Sequence, residues 1–310
     1  MSIFTWLIFI ALLFIFVLQV VPPLVRIYLR KAHFKQMKFT LFVIAFILLS
    51  ARIIARCRVL TDDGIVLLGS LRTNTLVKCV YLAGCYEPAL VDYLKQRLGP
   101  EDIFVDIGAN TGIFSLTAAQ LGAEVISVEA SPMNCRLFRR NMQANGLESR
   151  ITLINAAAGN RDGKIRLFDN LFNGMWSSTV PKVFWYLRPL TKSVMVPEIK
   201  VDDIVSDESR KRVRLVKIDV EGAELRAIRG LRRLIADGGE NLEFCVEFSP
   251  DWLTDDQTDK LFSIFRSNGY TAYTLVNKEV DFQPYGIQPP KLCLEPPDRQ
   301  VDVLFSRLPV

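Results

Sequence analysis

Hydrophobic residues are concentrated at the start of the chain. Residues 3–21 form an apolar run that contains no charged residue and ends at Pro22 and Pro23. A spanning helix needs about 20 apolar residues, and proline ends a helix, so this run predicts one membrane-spanning segment. A second apolar stretch, residues 39–51, is short for a span and favours an interfacial or re-entrant helix. A thin span stays open if Arg52 snorkels to the membrane surface.

From residue 58 onward, apolar runs of strand length alternate with segments of helical periodicity. This alternation predicts an α/β fold with a doubly wound, mostly parallel, seven-stranded sheet. The predicted core strands are almost continuously apolar, as expected where helices cover both faces. We therefore divide the chain into a membrane anchor, residues 1–57, and a globular domain, residues 58–310. The predicted strands are 102–108, 124–130, 151–157, 213–220, 241–248, 269–276 and 301–308, with a short extra strand at 163–168. The predicted helices are 87–98, 112–121, 132–145, 223–236 and 255–267, and a hairpin is expected around residues 62–64.

Residues 170–198 interrupt the alternation of strands and helices. The segment is rich in aromatic residues and contains three prolines. Such an insertion can form a lid or a wall that binds a substrate. It can equally pack its aromatic side chains over the sheet, and the sequence leaves both interpretations open. The aromatic residues are Phe172, Trp176, Phe184, Trp185 and Tyr186.

The charge of the chain also points to a membrane. The formal net charge is +5, and eight of the 38 basic residues, but none of the 33 acidic ones, lie in the first sixty positions. The rest of the chain is slightly acidic, so the charge indicates a membrane surface as partner and no nucleic acid. Basic residues between 26 and 38 should be cytosolic by the positive-inside rule. Six scattered cysteines without metal-binding spacing fit a reducing compartment. We expect a single-pass or hairpin anchor that is not cleaved, with the globular domain in the cytosol.

Residues 103–116 have the pattern of a cofactor site. An apolar run leads through Asp106 into a loop with Gly108 and Gly112, a helical segment follows, and Glu129 ends the next apolar run. Glycines allow close backbone approach, the helix start offers N–H groups, and the distal acid can bind ribose hydroxyls. The third glycine of the dinucleotide fingerprint is missing, and Asp106 would repel a pyrophosphate. A cationic ligand such as S-adenosylmethionine fits better, which disfavours a nicotinamide-dependent oxidoreductase.

A second group of acidic residues follows the predicted strands 213–220 and 241–248. Asp219, Glu221 and Glu247 would lie at the carboxyl edge of the sheet, where open α/β sheets bind ligands. Each is a candidate general base or positioning acid, although an ordinary carboxylate of pKa ~4 is a weak base unless burial raises it. Helix capping is the alternative for Glu221. Lys217, inside the strand, is expected to pair with an acid such as Glu247. We predict no metal, but an Asp219–Glu247 metal site stays open.

Two motifs together resemble one enzyme family. Val-Asp-Ile-Gly-Ala-Asn at 105–110 resembles motif I of class I S-adenosylmethionine-dependent methyltransferases, and with Lys-Ile-Asp-Val-Glu-Gly-Ala-Glu at 217–224 it is similar to the FkbM family. The resemblance spans about residues 64–305. It implies the class I methyltransferase fold, S-adenosylmethionine as cofactor, and O-methylation of a hydroxyl on a glycan, glycolipid or related metabolite.

The resemblance also implies roles for particular residues. Asp106 would hold the ammonium group of the cofactor, directly or through water, and Asn110 would shape the loop between Gly108 and Gly112. Glu129 would bind the ribose hydroxyls, and the adenine would lie near Ala157. The alternative is a non-catalytic membrane scaffold that keeps this fold, and the complete set of cofactor residues argues against it.

Overall fold

The structure is a computed structural model that describes residues 56–71, 74–170, 177–180, 191–275 and 289–310. The predicted membrane anchor lies outside the described residues except at its last two positions. The five aromatic residues of the 170–198 insertion lie outside them as well. Within the described ranges, no helix combines the length and the apolar character needed to cross a membrane.

The chain divides into two compact units, of which the smaller is described over residues 56–71 and 74–86. It contains the expected hairpin, in which β1 (Arg56–Leu60) pairs antiparallel with β2 (Val66–Ser70). A helix that the sequence analysis missed, α1 (Thr75–Ala83), follows. The side chain of Asn74 caps α1 by accepting a hydrogen bond from the amide of Val77 at 3.0 Å.

The larger unit is built on a mixed sheet. Five strands run parallel in the order β11-β10-β3-β4-β5, and β14 joins β11 antiparallel. Because β14 also pairs antiparallel with β12, the latter points in the same direction as the parallel strands. The predicted seven-stranded sheet is therefore present, with a two-residue eighth strand, β13, added beside β12. The strands are β3 (Ile103–Ile107), β4 (Glu124–Glu129), β5 (Ile151–Asn155), β10 (Val213–Ile218), β11 (Glu243–Phe248), β12 (Thr271–Leu275), β13 (Lys291–Leu292) and β14 (Val301–Ser306).

The five predicted helices are present, one of them divided in two, and the four-residue helix Asp207–Arg210 was not predicted. The predicted helix 223–236 is two helices, the first of which ends at the C-cap residue Gly230. A side chain is excluded there, since a Cβ at Gly230 would lie 1.9 Å from the carbonyl oxygen of Gly159. Ser131 caps the helix that begins at Pro132, and Gly146 ends that helix, as expected. The helices are α2 (Pro88–Arg97), α3 (Ile113–Gln120), α4 (Pro132–Asn145), α5 (Asp207–Arg210), α6 (Glu224–Arg229), α7 (Arg232–Asp237) and α8 (Asp255–Ser267).

A second sheet of four strands lies in the region between β5 and β10. Its order is β6-β9-β7-β8, and β7 and β9 pair antiparallel along their whole length. The short strand predicted at 163–168 is part of β7. The sequence analysis missed β9, because residues 192–195 are all exposed and show no alternation of buried and exposed positions. Part of the insertion is therefore regular structure. The strands are β6 (Ala157–Ala158), β7 (Gly163–Asn170), β8 (Ser177–Ser178) and β9 (Thr191–Ile199).

Candidate active site

The loop between β3 and α3 lies against the end of β10. Gly108 and Gly112 both have left-handed backbones, with φ of 83° and 91°. A Cβ at Gly108 would lie 1.7 Å from the carbonyl oxygen of Asp219, and one at Gly112 would lie 2.1 Å from the ring of Phe138. The glycines are thus required for contacts within the protein, and their role toward a cofactor stays a prediction. The contact at Gly108 brings the two sequence motifs together.

Asp106 is completely buried in β3 and lies beside Lys217 of β10 in the sheet register. Ser115 Oγ donates a hydrogen bond to Asp106 Oδ2 at 2.5 Å, while Oδ1 is buried and has no hydrogen-bond partner among the described residues. Burial raises the pKa of Asp106, and the Lys217 ammonium opposes that rise. This carboxyl group has no accessible surface, and its role toward the ammonium group of the cofactor stays a prediction.

Glu129 organises the backbone around the loop. Its Oε2 accepts a hydrogen bond from the amide of Asn110 at 2.8 Å, and its Oε1 accepts one from the amide of Ser131 at 2.8 Å. Asn134 Nδ2 also donates to Oε1, at 3.3 Å. Glu129 therefore links the glycine loop to the start of α4, a role that the sequence analysis missed. Binding of ribose hydroxyls stays a prediction for the same carboxylate.

The structure also describes the surroundings of Asn110 and Ala157, the other two residues predicted to bind the cofactor. Asn110 has a φ of 55°, and its side-chain Oδ1 is buried without a hydrogen-bond partner among the described residues. Ala157 is buried in β6, where it pairs in register with Glu198, which is itself buried. The sequence analysis found no acid near Ala157, because Glu198 arrives from β9, a strand distant in sequence.

These residues fit a cationic nucleoside-type cofactor. The buried oxygens of Asp106 and Asn110 are without hydrogen-bond donors among the described residues, and buried polar groups normally have partners. The loop leads into the N-terminus of α3, whose first amides have no partner within the helix. An ammonium or sulfonium group suits the acidic side of this site, and a carboxylate suits the helix start.

Replacement of Glu129 by alanine should weaken S-adenosylmethionine binding by about 1–3 kcal/mol, the scale of a hydrogen bond to a charged group. The variant frees the amides of Asn110 and Ser131 from their common acceptor. Isothermal titration calorimetry on the full chain measures the effect, with the exposed Glu148→Ala as matched control. Unchanged affinity in a folded Glu129→Ala protein contradicts this role.

Three carboxylates meet at the carboxyl edge of the parallel strands. Asp219, Glu221 and Glu247 each have a carboxylate oxygen within 4.8 Å of the others, and all three are partly exposed. We call these three residues the acidic cluster. The structure therefore brings together the three residues predicted as catalytic. Oxygen ligands at this spacing could hold a divalent cation. The Lys217 ammonium already neutralises part of their charge, and the absence of a metal stays a prediction.

Lys217 pairs with Asp219, and the expected pairing with Glu247 is wrong. Lys217 Nζ donates to Asp219 Oδ2 at 2.8 Å, because residues two apart on an extended chain point to the same side. The ammonium also lies 4.9 Å from the centre of the Phe114 ring. Glu247 instead accepts a hydrogen bond from Gln300 Nε2 at 2.7 Å, and its carboxylate lies within 4.8 Å of that of Asp219.

The acidic cluster contains two kinds of carboxyl group. Burial works against ionisation of Asp219, but the Lys217 ammonium outweighs it, so the pKa of Asp219 lies below its usual value. Burial, and then the negative charge of Asp219, raise the pKa values of Glu221 and Glu247 well above the usual range. A carboxylate with a raised pKa is a stronger proton acceptor, so the geometry favours these two residues over Asp219 as the base.

Glu221 has a constrained backbone. Its φ is 53°, a left-handed value that is uncommon outside glycine, and Gly222 follows with a φ of 91°. Its Oε2 is buried and has no hydrogen-bond partner among the described residues. The capping alternative for Glu221 is wrong, because α6 has Ala223 as its N-cap residue, and Glu224 Oε1 accepts the amide hydrogen of Gly222 at 2.9 Å. The role of Glu221 in the site stays a prediction.

Glu224 should make the stability of the protein depend on pH. Burial raises its pKa to about 7, so the folded state holds a proton that the unfolded state releases near pH 4.5. Stability is therefore lost as the pH rises from about 4.5 to about 7, by an amount on the order of 3 kcal/mol. Glu224→Gln stays neutral, so its melting temperature relative to wild type should increase from pH 5 to pH 8. A difference that is constant across this range contradicts the assignment.

The strand order, the antiparallel β14 and the acid–glycine loop are the features of a class I methyltransferase. The family described as the methyltransferase FkbM domain matches residues 106–272, more than half of the chain. The chain therefore belongs to the FkbM methyltransferase family, and S-adenosylmethionine is its cofactor.

Individual known proteins resemble this chain at low sequence identity or over a short part of it. A protein named Methyltransferase 1 from Beauveria bassiana is 27% identical over 192 residues, which cover 56% of this chain and 74% of that protein. Ribosomal protein L11 methyltransferase from Carboxydothermus hydrogenoformans is 33% identical over 66 residues, which cover 21% of this chain and 22% of that protein. The solved structure of Pyrococcus horikoshii TYW2 in complex with MeSAdo aligns with a TM-score of 0.42 and 11% identity, covering 82% of this chain and 73% of that one.

Proposed function

We propose that this methyltransferase transfers the methyl group to a hydroxyl oxygen of a glycan, a glycolipid or a related metabolite at a membrane. The observation that carries the proposal is the raised pKa of Glu221 beside the cofactor loop, in a carboxyl group with an unpartnered buried oxygen. A hydroxyl group must lose a proton when its oxygen becomes methylated. A carboxylate whose pKa is raised above the usual range is a stronger proton acceptor.

In this proposal each residue of the site has a separate role. When bound, S-adenosylmethionine supplies an electrophilic methyl group on a sulfonium. Glu221 accepts the hydroxyl proton through its unpartnered oxygen, and Lys217 keeps Asp219 ionised, which adds negative charge to the site. Glu247, held by Gln300, lies within 4.8 Å of Asp219 and Glu221 and adds a third carboxyl group to the site. Orientation of the acceptor oxygen in line with the methyl group supplies much of the rate.

A non-catalytic scaffold is the second candidate. It would need the fold and the surface of this chain, but not a carboxyl group with a raised pKa on a left-handed backbone. Such backbone conformations are retained mainly where the surrounding structure imposes them, and they occur often at active sites. The backbone of Glu221 therefore favours an enzyme.

A label-transfer screen tests the activity. The full chain in detergent is incubated with methyl-labelled S-adenosylmethionine and with separate extracts of membrane lipid, glycan, RNA and protein. Label in lipid or glycan that resists mild base supports an ether, whereas base-labile label indicates a carboxyl ester. Label confined to RNA or protein overturns the proposed acceptor class. Cofactor binding without label in any extract supports the scaffold.

The membrane position has its own test. We propose that residues 3–21 span the membrane, that residues 39–51 do not, and that the catalytic domain is cytosolic. The apolar run of 3–21, the basic residues that follow it and the supply of cofactor in the cytosol support this arrangement. Protease added to the cytosolic side of sealed vesicles should remove a tag placed after Val310 and spare a tag at Ser2. Protection of the C-terminal tag from this protease contradicts the proposed membrane topology.

A further inference from the structure

A serine from the second sheet reaches the loop that follows β10. Ser178, in β8, is only 1% exposed, and its Oγ donates a hydrogen bond to the carbonyl oxygen of Glu221 at 2.6 Å. The same oxygen accepts a hydrogen bond from the amide of Val180 at 3.0 Å. Because the amide supplies its own hydrogen to Oγ, the hydroxyl hydrogen is free to go to Glu221. The direction of both bonds is therefore defined.

The residue that Ser178 holds, Glu221, has a left-handed backbone that is uncommon outside glycine. Glu221 and Gly222 are consecutive left-handed residues, with φ of 53° and 91°. A non-glycine residue keeps such a conformation only where neighbouring contacts impose it. Two hydrogen bonds hold this pair: Ser178 Oγ donates to the carbonyl oxygen of Glu221, and the amide of Gly222 donates to Glu224 Oε1. Of these, only Ser178 comes from outside the loop and the helix that follows it.

A shift of the Glu221 carboxylate would change the geometry of the acidic cluster. It lies within 4.8 Å of Asp219 and Glu247, and one of its oxygens is buried. A rotation of the Glu221 peptide plane would change the direction of its side chain relative to both neighbours. Misplacement of a reacting group by about 1 Å can lower a rate 10²-fold. The hydrogen bond from Ser178 therefore controls a geometry on which the reaction depends.

We propose that Ser178 is a positioning residue for methyl transfer, which holds the Glu221 carbonyl and thereby fixes the direction of the Glu221 carboxylate in the acidic cluster. The proposal rests on the proposed function, since it takes Glu221 as the proton acceptor. It also gives the insertion between β5 and β10 a role at the site, through the described strand β8 (Ser177–Ser178). Ser178 touches neither the cofactor loop nor the other two carboxylates in any contact described above.

The kinetic test compares Ser178→Ala with Ser178→Thr, which keeps the hydroxyl, and with Ser193→Ala. Ser193 is an exposed serine of β9 in the same sheet, and it serves as matched control. With the full chain, labelled cofactor and the acceptor extract, Ser178→Ala should lower turnover roughly ten- to hundredfold. Its dissociation constant for S-adenosylmethionine should stay within about threefold, and Ser178→Thr should recover most of the rate. Unchanged turnover in Ser178→Ala, or a parallel loss of cofactor affinity, overturns the positioning role.

A second measurement needs no acceptor. Hydrogen exchange is followed by mass spectrometry on the full chain with bound S-adenosylhomocysteine, in peptides that cover residues 219–224. Ser178→Ala should exchange about tenfold faster in this segment than wild type, with Ser193→Ala unchanged. If Ser178→Ala is too unstable to measure, Ser178→Cys, which has a similar size but a weaker donor, takes its place. Its exchange rate in residues 219–224 should be faster than that of wild type, by less than about tenfold. Exchange that is unchanged, or faster throughout the domain, overturns the proposal. If wild type labels no acceptor, the proposed function fails while this result still decides the role of Ser178.

Discussion

Replacement of Glu221 by glutamine should lower methyl transfer by roughly 10²–10⁴-fold, the usual contribution of general acid–base catalysis. Glutamine has the size of glutamate and cannot accept the hydroxyl proton. The backbone hydrogen bond from Ser178 involves the carbonyl of residue 221 and survives the substitution. The dissociation constant for S-adenosylmethionine should change by less than about tenfold, because the cofactor loop is untouched. Single-turnover kinetics with labelled cofactor and calorimetry on the same preparations measure the two quantities.

The other two carboxylates and one surface residue provide comparisons for this result. Asp219→Asn should also lower turnover, but by less, because Asp219 is held ionised by Lys217 and acts through its charge. Glu240→Gln, at an exposed position, should leave both quantities unchanged. If Glu247→Gln is inactive and Glu221→Gln is fully active, the base is Glu247. If both variants are fully active, neither Glu221 nor Glu247 is the base.

Much of the sheet was predictable because each core strand carries its own pattern. β3 and β10 are buried at nearly every position, so their sequences are mostly apolar, with Asp106 in β3 and Arg214 and Lys217 in β10 as the exceptions. The ends of α4 were also predictable from local sequence, because Ser131 and Gly146 each act within one turn of the helix end. The positions of Asp219 and Glu247 followed from a general property of parallel sheets, in which carboxyl ends share one edge. Residues of strand ends could thus be brought together without knowledge of their side-chain contacts.

The contacts within the site were not predictable, because they join segments that are distant in sequence. No local pattern shows that Ser178 reaches Glu221, or that Ala157 lies beside Glu198. Lys217 illustrates a different difficulty: several acids were near enough in the predicted fold, and side-chain reach decided between Asp219 and Glu247. The close approach of Gly159 to Gly230 likewise joins distant segments, and helical periodicity cannot reveal it.

Replacement of Lys217 by methionine should destabilise the fold by about 3–5 kcal/mol, the cost of removing one partner from a buried ion pair. The Lys217 side chain is 4% exposed, and it faces a fully buried Asp106 and an Asp219 that is 24% exposed. Methionine fills a similar volume, so the loss comes from two carboxyl groups left without a cation. Urea unfolding and thermal melting of the full chain measure it, with the exposed Lys211→Met as control.

The pH dependence and a second substitution separate this explanation from lost packing. Without Lys217, the pKa of Asp106 rises further, so the folded state keeps a proton over a wider pH range. A carboxyl group whose pKa is raised in the folded state lowers the free energy of unfolding as the pH increases. The loss of stability caused by Lys217→Met should therefore be larger at pH 8 than at pH 5. Asp106→Asn in the same chain should recover part of the loss, and the double-mutant cycle gives the coupling between the two residues. A deficit below about 1 kcal/mol, or one that is independent of pH and of Asp106→Asn, would show that the lysine contributes no charge compensation.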